Sequence, residues 1–317
     1  EGTRLIDQAL NAIGSMVRDK TPDQLEPILS ELWKLVHAAT GRPPTVLLHS
    51  AEPHVPWELA SLENPPDPDA PPFLGAQFAV GRWILGPRGV SVPPAHEVVV
   101  QTMAVVAGDY RSSLNLRPLP HAEAEGRALE QRWGAVRLAA SVDALDRLLE
   151  ATLETNGAGG SGGGAEAIHF ACHGEVDPAR PADAMIYLDN DWPLDPSLFL
   201  DAPVGRSHGP FLFLNACQVG QTGELLGEYA GFAGSSLRAG FRGVVAPLWS
   251  VSDEIAEQIA LEFYERAWAS GTAGEPVSMI LRDMRRRYPA HEAVPPSTWL
   301  AYVFYGNPAL VLRRAGE

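Results

Sequence analysis

The runs AIHFACH (167–173) and FLFLNAC (211–217) decide how this chain is read. Each is apolar, too short for a helix and bounded by polar or turn-forming residues, so each reads as a buried strand. Strands hidden on both faces belong to parallel sheets with helices above and below. The surrounding sequence keeps the same rhythm. VVVQTMAVVAG (98–108) is a buried-strand signature, and HAEAEGRALEQRWG (121–134) is a helix closing at glycine. AVRLAA (135–140) is a strand, followed by the helix SVDALDRLLEATL (141–153) with Ser141 or Asp143 as its cap. GEYAGFAGSSLRAG (227–240) reads as a helix and GVVAPLW (243–249) as a strand. SDEIAEQIALEFYERAWASG (252–271) reads as a long helix capped by Ser252. Short apolar strands alternating with helices mean βαβ units, hence an α/β fold with a mostly parallel central sheet. AMIYLDNDWPL (184–194) interrupts one crossover as a surface hairpin.

Before residue 96 the pattern differs. Residues 3–18 and 22–38 have the spacing of amphipathic helices, TVLLHS (45–50) is a short strand, and PPDPDAPP (65–72) is a proline-rich loop. FLGAQFAVGRWIL (73–85) reads as a hairpin or two short strands. The chain therefore divides into a helical and short-β portion, 1–95, and an α/β core, 96–317. NGAGGSGGGAEA (156–167) reads as a flexible surface loop, natural or substituted for a longer one, and carries no chemistry.

Composition narrows the function. Of the 317 residues 45% are apolar and 20% charged, enough for a substantial core. A net charge of −15 repels phosphate backbones and anionic lipid, so neither nucleic acid nor a membrane surface is the expected partner. A neutral or basic protein suits that surface better. The first residues, EGTRLIDQALNAIG, show no secretory signal and no initiator Met, which reads as a fragment of a longer protein. Two cysteines, Cys172 and Cys217, exclude a disulfide scaffold and suit a reducing cytoplasm. Only Lys20 and Lys34 represent lysine, against many Arg, Ala, Gly and Pro, which suggests a GC-rich bacterial source.

In an open parallel sheet, reactive groups gather beyond the carboxyl ends of the strands. Three strand ends stand out: His173-Gly174, Cys217-Gln218, and Trp249 with the loop Ser250 to Asp253. A thiol becomes a nucleophile when a nearby imidazole takes its proton. His173 lies 44 residues before the turn Ala216-Cys217-Gln218-Val219-Gly220, which resembles the caspase arrangement, with its histidine about 50 residues upstream of the cysteine turn. Backbone N–H groups of Gly174 and Cys217 are the expected oxyanion donors. Cys172 alternates with His173 and belongs to the opposite face, where it packs; His169 shares the side of His173 as a hydrogen-bonded core residue. That alternation also separates the residues a zinc ion would need, so no metal is expected, and with neither a Gly-x-Gly-x-x-Gly after the first strand nor a Walker loop no cofactor is expected.

These motifs resemble the CHAT peptidase family, relatives of caspases and separases. PWELASL (56–62), LPHAEAEGRAL (119–129), HFACHG (169–174), LNACQVG (214–220), VVAPLWSVSD (244–253) and FYGNPAL (304–310) follow the family order across most of the chain. Val219 stands where threonine is common, and Asn215 and Asn307 where serine and aspartate are usual. The resemblance implies a caspase-like three-layer α/β/α sandwich and a cysteine endopeptidase. Its dyad is His173 and Cys217, and Trp249, Ser250 and Asp253 line the pocket for the residue preceding the scissile bond. It further implies a regulated bacterial effector of defence or cell death, with a sensor or regulatory domain outside this region. A catalytically silent interaction module of the same fold is the alternative.

Overall fold

The computed structural model describes residues 2–50, 55–84, 94–153, 163–177, 180–218, 230–249, 251–269, 274–288 and 297–316. Most of the glycine-rich loop 156–167, the start of the helix read at 227–240, and Ser250 lie outside them. In chain order the elements begin with α1 (Gly2–Arg18), α2 (Leu25–Thr40), β1 (Thr45–Ser50), α3 (Leu74–Gln77) and β2 (Ala79–Ile84). There follow β3 (Glu97–Val100), β4 (Met103–Ala107), α4 (Pro120–Trp133), β5 (Val136–Ala139), α5 (Val142–Leu149) and β6 (Ala167–Asp177). Next are β7 (Arg180–Leu188), β8 (Trp192–Leu194), α6 (Pro203–His208), β9 (Phe211–Gln218), α7 (Ala230–Ala239) and β10 (Gly243–Pro247). The chain closes with α8 (Asp253–Ala267), α9 (Val277–Arg285), α10 (Ser297–Ala301), β11 (Tyr302–Gly306) and β12 (Val311–Arg314).

The main sheet runs β1-β2-β11-β10-β9-β6-β4-β5, parallel throughout except between β10 and β11. β7 and β8 fold back antiparallel on the far end of β6, the hairpin expected at 184–194. Helices cover both faces. On one, α5, α6 and α7 bury Leu145, Leu148, Val204, Phe232 and Leu237 against Ile168, Phe170 and Cys172. On the other, α4, α8 and α9 bury Leu129, Ile259, Phe263, Ile280 and Leu281 against Val105, Phe211 and Phe213. The result is a three-layer α/β/α sandwich, as the alternation of strands and helices required. β4, β10 and β11 are buried at every position, which explains their unbroken apolar runs.

The boundary drawn at residue 95 is not a boundary in the sheet. β1 and β2 extend the same sheet beyond β11, so the early strands share its layer. The stretch 73–85 forms one short helix and one strand rather than a hairpin. Apolar content alone cannot distinguish a buried turn of helix from a strand.

A buried ion cluster fastens this edge. Arg82 of β2 donates through Nε to both carboxylate oxygens of Glu58, at 2.8 and 3.1 Å, and through Nη2 as well. Arg285 of α9, fully buried beside them, donates to the carbonyls of Gly75 (3.1 Å) and Tyr302 (2.6 Å). Burial alone raises the Glu58 carboxyl, but the charge and hydrogen bonds of Arg82 outweigh it and hold it below the usual range. Burial lowers Arg285 to about 10. Removing the Glu58 carboxylate takes away the negative charge that offsets the buried guanidinium groups of Arg82 and Arg285. Glu58→Gln is expected to cost about 3–5 kcal/mol in urea unfolding at neutral pH. Because the folded carboxyl is depressed, its contribution is present above the unfolded pKa and disappears as pH falls through the folded one. The gap between wild type and Glu58→Gln should therefore close in acid.

Candidate active site

The chain runs outward from β4 to β5, then returns across β4 to β6 and on to β9 and β10. A crevice opens where the direction reverses, beyond the carboxyl ends of β4 and β6. His173 sits at that end of β6. The β6–β9 pairing is parallel and in register from Ala167↔Phe211 to Gly174↔Gln218, which makes Cys217 the register partner of His173. Positions paired in this way belong to the same face of a sheet. Gly174 is buried one step further along and also pairs with Ile186 of β7. The histidine, the glycine and the cysteine expected from sequence thus occupy one stretch of two neighbouring strands.

The imidazole of His173 is almost fully buried. Its Nε2 lies 2.7 Å from the carbonyl oxygen of Arg117, in the loop from β4 to α4. A carbonyl can only accept, so Nε2 carries the proton of the neutral ring and Nδ1 carries the lone pair. The tautomer is set by a main-chain atom, a feature that residue types cannot signal. Tyr110, in the same loop, packs its ring 4.5 Å from the imidazole, and its hydroxyl accepts the backbone N–H of His173 at 2.9 Å. Sequence reading did not single out Tyr110.

A cleft of about 330 Å³ adjoins His173. Arg117, Leu119 and His121 line one side, and Val251, Ser252, Asp253 and Glu254 the other. Asp253, read from the sequence as pocket-lining, borders this cleft; among the described residues Trp249 is absent from its lining and packs against apolar residues of the cores on both sheet faces. Ser252 holds the N-cap position of α8 without a side-chain bond. Asp253 caps a different helix, with Oδ2 accepting the N–H of His121 in the first turn of α4 at 3.2 Å. Burial raises the Asp253 carboxyl, against the lowering effect of His121.

Beneath β6 and β9 lies a buried chain of hydrogen-bonded polar groups. His169 Nε2 meets Glu125 Oε1 at 2.5 Å, and its Nδ1 lies 3.2 Å from the Tyr264 hydroxyl. Asn215 donates to both oxygens of Glu125 at 2.8 Å and accepts from the Tyr302 hydroxyl at 2.5 Å. His169 is the satisfied core histidine expected of it, and Asn215, two residues before Cys217, is locked in place. Cys172 faces the opposite core, as alternation required, and burial pushes its thiol up to about 12.

The CHAT domain family model matches residues 23–307. Among solved structures, the Arg specific cysteine proteinase gingipain R superposes with a TM-score of 0.51 at 11% identity, covering 92% of this chain and 69% of that one. The complex of Porphyromonas gingivalis RgpB pro- and mature domains gives 0.52 at 10% identity, with 92% and 70% covered. A further protease structure gives 0.57 at 10% identity, with 92% and 69% covered. At these identities the likeness is one of fold. No curated protein sequence matches significantly.

His121 offers a local test. Its Nδ1 bonds Glu257 at 2.7 Å, and that bond raises its pKa, with further help from Asp253 and Glu254. A raised histidine contributes stability below its unfolded pKa and loses it as pH rises through the folded value. The His121 ring signals in an NMR titration should show a midpoint above the usual histidine value, moving back down in Glu257→Gln.

Proposed function

The chain belongs to the CHAT-domain family, and on that footing we propose that it is a cysteine endopeptidase working through His173 and Cys217. The fold is that of caspase-like cysteine proteases. The observation that carries the reading is the in-register placement of the two residues on β6 and β9, with the tautomer of His173 fixed by the Arg117 carbonyl. That tautomer keeps a basic lone pair on Nδ1. The imidazole takes the thiol proton, and the thiolate attacks the scissile carbonyl, forming a C–S bond. The backbone N–H groups of Gly174 and Cys217 are assigned to the developing oxyanion. The C–N bond then breaks as the imidazolium protonates the departing amine. Water, deprotonated by His173, attacks the thioester to release the carboxylate product and the thiol. This chemistry draws on protein groups alone.

The cleft beside His173 is assigned to the side chain preceding the scissile bond, with Asp253 as its recognition group. Asp253 and Glu254 favour a basic substrate residue there. Family membership supports a place in a regulated bacterial defence or cell-death response, under a separate sensor or regulatory domain. A cytoplasmic setting suits a reactive thiol. Among the described residues no helix is long and apolar enough to cross a membrane.

Cys217→Ala or His173→Ala should each lower turnover by several orders of magnitude. Substrate-independent evidence comes from iodoacetamide. Cys217 should label quickly near neutral pH and slow in His173→Ala, while buried Cys172 stays unlabelled. Labelling of Cys217 at the rate of an ordinary thiol, indifferent to His173, would favour a silent interaction module that docks a partner through its acidic surface. For specificity, Asp253→Asn keeps an acceptor for the His121 N–H and removes the charge. Preference for Arg or Lys in a peptide library should fall about tenfold or more, with non-basic peptides little affected.

A further inference from the structure

β6 changes partners at its carboxyl end. β4 accompanies it to Ala171, where the N–H of Gly108 donates to the Ala171 carbonyl at 3.0 Å. Two residues later β7 has taken that side, pairing Tyr187 with His173. His173 therefore sits at the junction between a parallel and an antiparallel neighbour.

The side chain of Tyr110 fills that junction. Its hydroxyl accepts the N–H of His173 at 2.9 Å and donates to the carbonyl of Tyr187 at 2.5 Å. One oxygen thus bridges the two strands in the place of a direct ladder bond. The ring packs on the imidazole at 4.5 Å, and the residue is almost entirely buried. The backbone accommodates this at some cost. Tyr110 has φ +52°, a left-handed conformation uncommon for a bulky residue. Gly108 has to be glycine, because a Cβ there would stand 2.3 Å from the tyrosine ring. Strain of this kind persists only where surrounding contacts impose it, and it clusters at functional sites.

The surrounding contacts are visible. Asp189, after β7, accepts the N–H groups of Asp109 (3.1 Å) and Tyr110 (3.3 Å). Asp191 accepts from the Ser113 hydroxyl, from the N–H of Leu114 at 3.3 Å and from Asn115 Nδ2 at 2.8 Å. The loop pinned in this way ends at Arg117, whose carbonyl holds Nε2 of the same histidine. A single loop therefore grips His173 at its main chain, its ring face and its ring nitrogen.

Resting on the dyad assignment, we propose that Tyr110 is a positioning residue of the catalytic site. It fixes the height and orientation of the His173 ring by bridging β6 to β7, and the acidic turn Asp189–Asp191 clamps the loop that carries it.

The test is the pH profile of iodoacetamide labelling at Cys217, together with kcat and KM once a peptide substrate is found. It uses wild type, Tyr110→Phe, Asp191→Gly and His173→Ala. Tyr110→Phe keeps the ring and removes the bridge. Its labelling profile should move to higher pH, and kcat should fall about 10- to 100-fold with KM little changed. Asp191→Gly lies at the half-buried clamp and tolerates the positive φ of that position, so it reports even if Tyr110→Phe folds poorly. It should shift the profile in the same direction by a smaller amount. Wild-type profiles in both Tyr110→Phe and Asp191→Gly, beside a shifted one in His173→Ala, overturn the positioning role and leave the dyad standing. A wild-type profile in His173→Ala as well removes the dyad assignment and the proposal with it.

Discussion

The parallel pairing of β6 with β9 is the interaction on which the rest depends. Side chains in a sheet alternate with a period of two, so a slip of one residue would move every core side chain to the wrong face. The register is held from both sides. Ile168, Phe170 and Cys172 belong to the core under α5–α7, while His169 stacks on Phe213 beneath α8. Those apolar commitments, spread over eight paired positions, place His173 beside Cys217 as a consequence of packing. The geometry at these strand ends is inherited from the hydrophobic core.

Polar groups make the arrangement specific. His169, Glu125, Asn215, Tyr264 and Tyr302 are buried together, and each hydrogen-bonds within the set. Leaving any one partner out would strand a desolvated group, so the network favours one arrangement of β6, β9, α4, α8 and β11 over near alternatives. The Tyr302 carbonyl also accepts from Arg285, which brings the ion cluster at the β2 edge to the same residue. Asn215, a departure from the family's usual serine, is thereby the hydrogen-bonding centre of the layer beneath the site. Glu58, in the PWELASL motif, is an ion-pair anchor rather than a site residue.

Much of this was legible in the chain itself. AIHFACH and FLFLNAC announced buried strands because an unbroken short apolar run has few other uses, and the intervening helical periodicity required a parallel sheet. The opposite faces of Cys172 and His173 followed from alternation alone. Less was legible at 73–85, where a buried helical turn and a strand share the same composition. Trp249 was read into the pocket because it ends a strand, yet an indole is as readily claimed by the core, and here the core has it.

By itself the sequence determined which residue types could react, where most strands and helices lay, and that the sheet would be covered on both faces. These follow from local spacing and hydrophobicity. Only the tertiary structure decided which strands became neighbours, which carbonyl set the His173 tautomer, and which helix Asp253 capped. It also decided which side chain bridged the junction of β6 and β7. Those contacts join residues far apart in the chain, through main-chain atoms as often as side chains. A backbone carbonyl such as that of Arg117 has no residue-type signature, so only its place in space could reveal it.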